Sequence, residues 1–428
     1  MNPTENGVHR FASFPCLDLM HATLRYGLND PVCLEPADGA WLAQCGTPRE
    51  SPLEDLAAAV TAALAEPIDY PPLAQSAMPG DRVVLVLGRG VPRAAELVAA
   101  VVACLARAGV DPDGIGILRT QADAECGVPD PCGLLSAQTR SRLSLVTHDP
   151  ADQGRLGYLA ATDDGRPILL NRAILDADVV LPVGSLGNRA SPEYHGIHGA
   201  VYPTFSDEKT LLRFRSLDLL NPRGAPKKHL VRLCNEVGWL LGVNFTIQLV
   251  PGAGDGVLHV LAGEAGAVRR RGRDLYRSAW SCMVPERASL VVAAVEGGPL
   301  QQTWQNLGLA MTAALGLVEE GGAIAVCCDL AGEPGPAVRQ LAESSSRRDA
   351  LRRIRKDRSA DALVAGQLAE ALDRVTVYLL SRLDDALVEQ LEMAPLGGPA
   401  ELARLVRRHP SCIVLANATH ALAAAEGP

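Results

Sequence analysis

No stretch of this 428-residue chain approaches the roughly 18 uninterrupted apolar residues that a helix needs to span a bilayer, which excludes a conventional transmembrane segment. The opening MNPTENGVHRFASFP has no apolar signal core, so the expectation is a cytoplasmic protein without a membrane partner. Positive charge is in short supply. With 40 Lys and Arg against 49 Asp and Glu, the net charge of -9 disfavours nucleic acid, whose phosphates need a basic face, and leaves small molecules as the expected ligands. The 11 cysteines form no CxxC pair, and Cys327 and Cys328 are the adjacent two, so structural zinc finds no support. Cys104, Cys327 and Cys412 lie in apolar runs, where a reduced thiol behaves as a small core residue. HExxH, a Walker loop, a full dinucleotide fingerprint, a short-period repeat and a long low-complexity tract are also missing.

What is present describes a folded globular chain. Hydrophobic residues make up 48% and charged residues 21%, and the length suggests two domains. DRVVLVLG (81–88) is a β-branched run followed, after Pro92, by an Ala/Leu/Val-rich helix up to Gly109. Further strands are expected at 115–118, 143–148 and 178–184, with a helix from about 227 to 241. VNFTIQLV and VLHVLAG, joined by PGAGDG, read as a hairpin. A basic helix follows Ala265, and the alternation then restarts with strands at 290–295, 324–328, 375–380 and 412–416. The expected class is therefore α/β, with two domains (1–275 and 276–428), largely parallel sheets and a cleft between them.

Four segments can carry chemistry. LGRGVPR (87–93) lies between a buried strand and a helix, where glycines let backbone amides approach an anion and Arg89 and Arg93 add charge; a simple tight turn accounts for the glycines equally well. NRASPEYHGIHGAVYPTFSDEK (188–209) is the densest polar cluster, with Glu193, His195, His198, Asp207 and Glu208. An HxxH pair can direct two imidazoles at one metal ion, although such pairs are also ordinary hydrogen-bonded loop residues and a third ligand is needed. EGGPLQQTWQN (296–306) repeats the strand-to-helix pattern and offers Gln301, Gln302, Gln305 and Asn306 to a polar substrate, or to solvent in a first helical turn. SSSRRDALRRIRKDR (344–358), with seven cationic residues, reads as a solvated helix face.

Several strings, taken in order, resemble the nickel-pincer lactate racemase family. RYG (25–27), ALAEPIDYPPL (63–73) and PGDRVVLVLGRGVPR (79–93) are similar to the family's opening. THD (147–149), NRAILDADVVLPVG, the NEVGWLLGVNFTIQLV to VLAGE stretch, EGGP and GGAIAVCCD continue the series, so the resemblance covers roughly 20–420. It implies two α/β domains with a site in the cleft between them, a nickel-pincer nucleotide, and racemisation or epimerisation of a small 2-hydroxy acid or sugar acid.

The chain departs from the family pattern where the chemistry sits. The DxTRP loop corresponds to Gly88, Gly90, Val91 and Pro92, with Arg89 and Arg93 close by. The family's first catalytic histidine has no counterpart in LRTQADAE, where Asp123 is nearest. With the family's proline aligned on Pro203, its second histidine and its tethering lysine fall on Arg189 and Gly199, and its nickel-ligating histidine near Arg215. The second domain's QxxK pair falls on Asn306 and Leu309. The resemblance thus implies a noncovalent cofactor held by Gly88, Arg89, Gly90, Arg93, Arg189, Gly199 and Arg215, with substrate on Gln305 and Asn306 and with His195 and His198 as bases or metal ligands. The expected activity is a divergent isomerase. A noncatalytic ligand-binding homologue and a metal-dependent hydrolase using the two histidines remain open alternatives.

Overall fold

The computed structural model describes residues 20–125, 127–188, 191, 194–221 and 224–426. Its frame is two six-stranded, mostly parallel sheets with helices around them. The first sheet runs in the order Val257–Glu264, Phe245–Pro251, Val179–Ser185, Val83–Leu87, Ile115–Thr120, Ser144–His148. Only its first pair is antiparallel, and this is the hairpin read from the two runs around PGAGDG. The second sheet, parallel throughout, runs Ala394–Pro395, Thr376–Leu380, Val318–Cys327, Ala288–Ala294, Ser411–Leu415, Trp41–Cys45.

Val83–Leu87 is buried at every position, as a parallel strand covered on both faces must be. Helices Leu56–Ala65 and Ala94–Arg107 cover one face through Val60, Leu97, Val101 and Leu105. In the second sheet, Val291, Ala293, Ile324 and Val326 pack against helices Trp304–Leu315 and Ala362–Arg374, while Leu290, Val292 and Val414 face a separate cluster with Leu24 and Leu402. The alternation of strand and helix expected from the sequence is present in both sheets.

One strand crosses the expected division at residue 275. Trp41–Cys45 pairs in parallel with Ser411–Leu415, so the early chain supplies an edge to the second sheet. Ser281–Val284 pairs with Leu422–Ala425 in a small two-stranded sheet beside the basic helix Ala265–Trp280. Among the described residues every cysteine is free, and Cys104, Cys327 and Cys412 are buried, with burial pushing the Cys327 and Cys412 thiols well up. No helix among the described residues is long and apolar enough to cross a membrane.

Both sheets share a topological device. From Val83–Leu87 the chain steps outward to Ile115–Thr120 and Ser144–His148, then returns to place Val179–Ser185 on the other side. From Ala288–Ala294 it steps outward through Val318–Cys327, then returns to place Ser411–Leu415 on the other side. At such a switch point the loops leave in opposite directions, and a crevice opens outside the strands' carboxyl ends.

Candidate functional site

The switch point of the first sheet opens into a cavity of about 500 Å³. Gly88 and Arg89 reach it from Val83–Leu87, Thr120 and Gln121 from the neighbouring strand, His148 from the next, and Gly184 and Ser185 from the returning strand. Thr120, His148 and Ser185 are each the last residue of their strand. Tyr194–Ile197, Gly199, Ala200, Pro203, Thr204 and Arg215 close a second wall, and Gln305, Ala360, Leu363 and Val364 reach the cavity from elements that flank the second sheet.

The strands meet closely at its base. The Gly88 amide donates to the Val183 carbonyl at 2.8 Å, and a Cβ on Gly88 would lie 3.1 Å from both that carbonyl and Ala200 Cβ. A larger residue there would push the first strand away from the 197–200 turn, so the close approach favours glycine.

His148 is 2% exposed, and both its ring nitrogens are engaged. Nε2 lies 2.9 Å from the Ser206 carbonyl and Nδ1 lies 3.1 Å from Asn171 Nδ2. A carbonyl only accepts and an amide nitrogen only donates, so Nε2 carries the proton and Nδ1 accepts. Burial pushes its pKa below the usual imidazole value, which keeps the ring neutral. Its role is to fix Asn171 and the 203–206 turn behind the cavity. His195, 7% exposed, lies with its ring edge-to-face on Phe214, centroids 4.9 Å apart.

Of the residues expected from sequence, Gly88, Arg89, His195, Gly199, Arg215 and Gln305 line this cavity together. Others lie elsewhere. His198 is not on the wall: it sits on the turn Ile197–Ala200, and its ring abuts helix Ala225–Leu240 at Gly238, where a Cβ would fall 2.5 Å from Nδ1. Burial and then the charge of Arg269 lower its pKa, against Glu264, which raises it. The two histidines expected as a metal pair thus have different surroundings, and no group of three His, Cys, Asp or Glu able to hold a metal occurs among the described residues. His198 lies within the 3-10 turn Ile197–Ala200 and His195 before it, and their rings meet different partners, Gly238 and Phe214.

Arg93 is likewise turned outward. Its guanidinium pairs with Glu96 at 2.6 Å and donates to the carbonyls of Leu53 and Glu54, tying this loop to the segment before helix Leu56–Ala65. Gly90 has a positive φ of 66°, and its amide donates to the Asp123 carboxylate at 3.2 Å. Asp123, where the resemblance puts a lost base, therefore anchors the loop, and burial raises its pKa against the hydrogen bonds from Thr120 and Gly90. Asn306 is also consumed internally, its Nδ2 donating to the Gln301 carbonyl at 2.8 Å. Arg189 and Glu193 lie outside the described residues. In the cationic segment, Arg347 pairs with Asp373 and Glu392 and Arg352 with Asp349, an ordinary solvated helix face.

His148, Ser185, Thr204, Gln121 and Gln248 are on the wall but were not among the expected site residues. Gln121 donates to Glu125 at 2.7 Å and buried Gln248 donates to Thr246 Oγ1 at 2.8 Å, so the wall is a hydrogen-bonded polar surface with Arg89 and Arg215 as its cations.

Comparison with known proteins agrees with this architecture. The family model described as the lactate racemase N-terminal domain matches residues 33–225, the segment that builds most of the cavity wall. The fold is similar to that of a lactate racemase apoprotein from Thermoanaerobacterium thermosaccharolyticum, with a TM-score of 0.74 at 17% identity over 94% of this chain and 99% of that one. A Thermotoga maritima protein is also similar, with a TM-score of 0.62 at 12% identity over 88% of this chain and 100% of the other. No curated protein matches the sequence. Residues 33–225 thus match the lactate racemase N-terminal domain, and the chain as a whole shares the fold of a lactate racemase apoprotein.

Proposed function

We propose that this protein binds a small 2-hydroxy acid or sugar acid in the strand-end cavity without the nickel-pincer chemistry of its family. The observation that carries the reading is the composition of the wall: Arg89 and Arg215 for a carboxylate, with Gly199 and Arg215 where the family resemblance puts a tethering lysine and a nickel-ligating histidine. A guanidinium holds a carboxylate through two parallel charge-assisted hydrogen bonds, a geometry that favours planar acids over other anions. Ser185, Thr204, Gln121 and Gln305 offer donors and acceptors to hydroxyl groups, and a cavity of about 500 Å³ suits a small acid or sugar acid.

The donor set of this wall does not fit the nickel-pincer nucleotide. Among the described residues the wall includes no lysine to form a tether, and an arginine cannot replace a ligating imidazole. Racemisation at a carbinol carbon needs a hydride acceptor, and proton exchange at the hydroxyl on either face is served by two imidazoles. Among the described residues the wall carries two imidazoles, His148, engaged at both ring nitrogens by Ser206 and Asn171, and His195, packed on Phe214. What the chain's own groups support is orientation: Arg89 and Arg215 hold the carboxylate while His195, on Phe214, meets a hydroxyl.

His195 on the wall is the observation favouring the isomerase reading with an untethered cofactor. One experiment separates the two. The full chain is co-produced with the enzymes that make the cofactor, then analysed for nickel and for intact mass in native and denatured form, and titrated calorimetrically with the enantiomers of lactate, glycerate and gluconate. The expected result is acid binding, no stoichiometric nickel and no interconversion of enantiomers. Nickel together with a nucleotide-sized adduct, and isomerisation abolished in His195→Ala, would overturn the reading.

A further inference from the structure

A second and larger cleft, of about 1220 Å³, lies beside the acid cavity and shares Tyr194 and Gly196 with it. Six cations line it: Lys227, Lys228, Arg269, Arg270, Arg273 and Arg277. The carboxylate on its wall, among the described residues, is Glu370. This concentration stands out in a chain of net charge -9. It has a simple origin in the sequence. The helix Ala265–Trp280 buries Ala265, Val268, Gly272, Tyr276 and Ala279 on one side, which leaves Arg269, Arg273 and Arg277, spaced by four, as an exposed stripe beside Arg270. Lys227 and Lys228 come from the first turn of helix Ala225–Leu240.

Glu264, at the start of the same helix, interacts with Arg269 and Arg270. Arg270 meets Asp69 at 3.9 Å and Arg273 meets its neighbour Asp274 at 3.1 Å, both exposed pairs of the weak kind, and Lys227 donates to the Ser191 carbonyl. Like charges one helical turn apart repel, so the stripe opposes its own helix until an anion lies across it. The remainder of the wall is of another character. Leu186, Leu219, Leu220, Val231 and Leu422 give it an apolar side large enough for a planar ring system, and the volume exceeds the roughly 300–1,000 Å³ usual for small-ligand pockets.

We propose that this cleft binds a nucleoside polyphosphate, with its phosphates along the Arg269–Arg273–Arg277 stripe and the two lysines and its base against the apolar side. The site borders the acid cavity at Tyr194 and Gly196 but does not depend on the activity proposed there. A polyphosphate matches several cations at once, whereas a monophosphate or a simple acid engages few of them.

The test is calorimetric titration of the full chain with ATP, AMP, adenosine, inorganic tripolyphosphate and a short oligoribonucleotide, at about 0.15 M salt. ATP is expected to bind at least about tenfold more tightly than AMP or tripolyphosphate, because phosphate and base contacts both contribute. The Arg269→Gln/Arg273→Gln double variant should lower ATP affinity by at least about tenfold while keeping the native melting temperature. Arg271→Gln, exposed on the same helix but off the cleft, should bind ATP as the native chain does. Lys228→Gln serves as a second variant on another helix. Absence of ATP binding would overturn the proposal, as would an equal loss in Arg271→Gln, which would mean diffuse surface charge. Tripolyphosphate binding as tightly as ATP would remove the nucleoside, and an oligoribonucleotide that ATP cannot displace would assign the surface to nucleic acid instead.

Discussion

The two sheets have the same switch-point topology, yet one switch point holds a cavity and the other is filled. At the first, loop 88–93 and the end of Val179–Ser185 leave room for a ligand. At the second, the hairpin turn that follows Phe245–Pro251 in the first sheet fits into the crevice of the second. Gly254 donates to Asn417 Oδ1 at 3.1 Å, Gly298 donates to Asp255 Oδ2 at 2.7 Å, and Asn417 Nδ2 donates to the Gly46 carbonyl at 3.3 Å. Gly297, with φ of 107°, approaches so closely that a Cβ would fall 2.7 Å from Gln301 Cγ and 3.1 Å from Gly254. The amides that looked available to a substrate are used here. Gln302 donates to the Val295 and Gly297 carbonyls and accepts from Asp329, and Gln301 reaches Asp255. A glycine loop after a buried parallel strand marks where a crevice can form, and the neighbouring chain decides whether it stays open.

The largest effect should come from the open switch point. Arg89→Ala/Arg215→Ala removes both wall cations, and at about 1.5–3 kcal/mol per charge-assisted contact the affinity for a bound hydroxy acid should fall at least a hundredfold. Calorimetry on the variant checks it, and acid binding that persists at native strength would place the carboxylate elsewhere.

The closed switch point should respond in stability instead. Asn417 is 4% exposed, has φ of 46°, and bridges Gly254 and Gly46. Asn417→Ala strands two buried backbone groups and puts alanine in a left-handed conformation, at a cost of about 3 kcal/mol in urea unfolding. Acid affinity should stay native in this variant; a parallel loss would mean that the two switch points are coupled rather than independent.

Much of this arrangement was legible in the sequence, and the exceptions have physical causes. Buried parallel strands are short apolar runs, so Val83–Leu87 and Ala288–Ala294 announce themselves. Trp41–Cys45 does not, because its partner Ser411–Leu415 lies at the far end of the chain and no local pattern encodes that pairing. Gly88, Arg89, His195, Gly199, Arg215 and Gln305 share one cavity as residues proposed from loops and from family resemblance. His148 and Gln248 were missed because they sit within strands and read as core. Thr120, His148 and Ser185 all end parallel strands, and the strand ends are the sequence signal that marks them.

A third prediction concerns the residue that spacing alone put in the wrong region. Gly238 is the gap that admits the His198 ring into the helix face, so Gly238→Ala forces the imidazole to move at a net cost of about 1–2 kcal/mol, despite alanine's better helix propensity. His198→Ala in the same chain should recover most of that loss, a coupling that thermal or urea unfolding of the four members of the cycle measures directly. Independent, additive losses would show that the ring does not occupy this space in solution. Acid binding in His198→Ala should be native, which keeps the open switch point to His195.

The smallest effect expected is a pH dependence arising from the wall of the open switch point. His148 is neutral in the folded chain, with Nε2–H donated to Ser206 and Nδ1 filled by Asn171, and burial holds its pKa below the ordinary value of 6.5. The unfolded chain takes up this proton near its ordinary pKa, whereas the folded chain resists it. His148's contribution to stability is therefore complete above about pH 6.5 and declines as the pH falls from there toward the folded pKa. His198, lowered by burial and by Arg269, adds to the same trend. Urea midpoints compared at about pH 7.5 and pH 5.5 should show a loss on acidification of order 1 kcal/mol, and His148→Gln should reduce that slope while lowering stability at both values. An unchanged slope in His148→Gln would mean that the ring titrates alike in the folded and unfolded chains, so that burial does not hold it neutral.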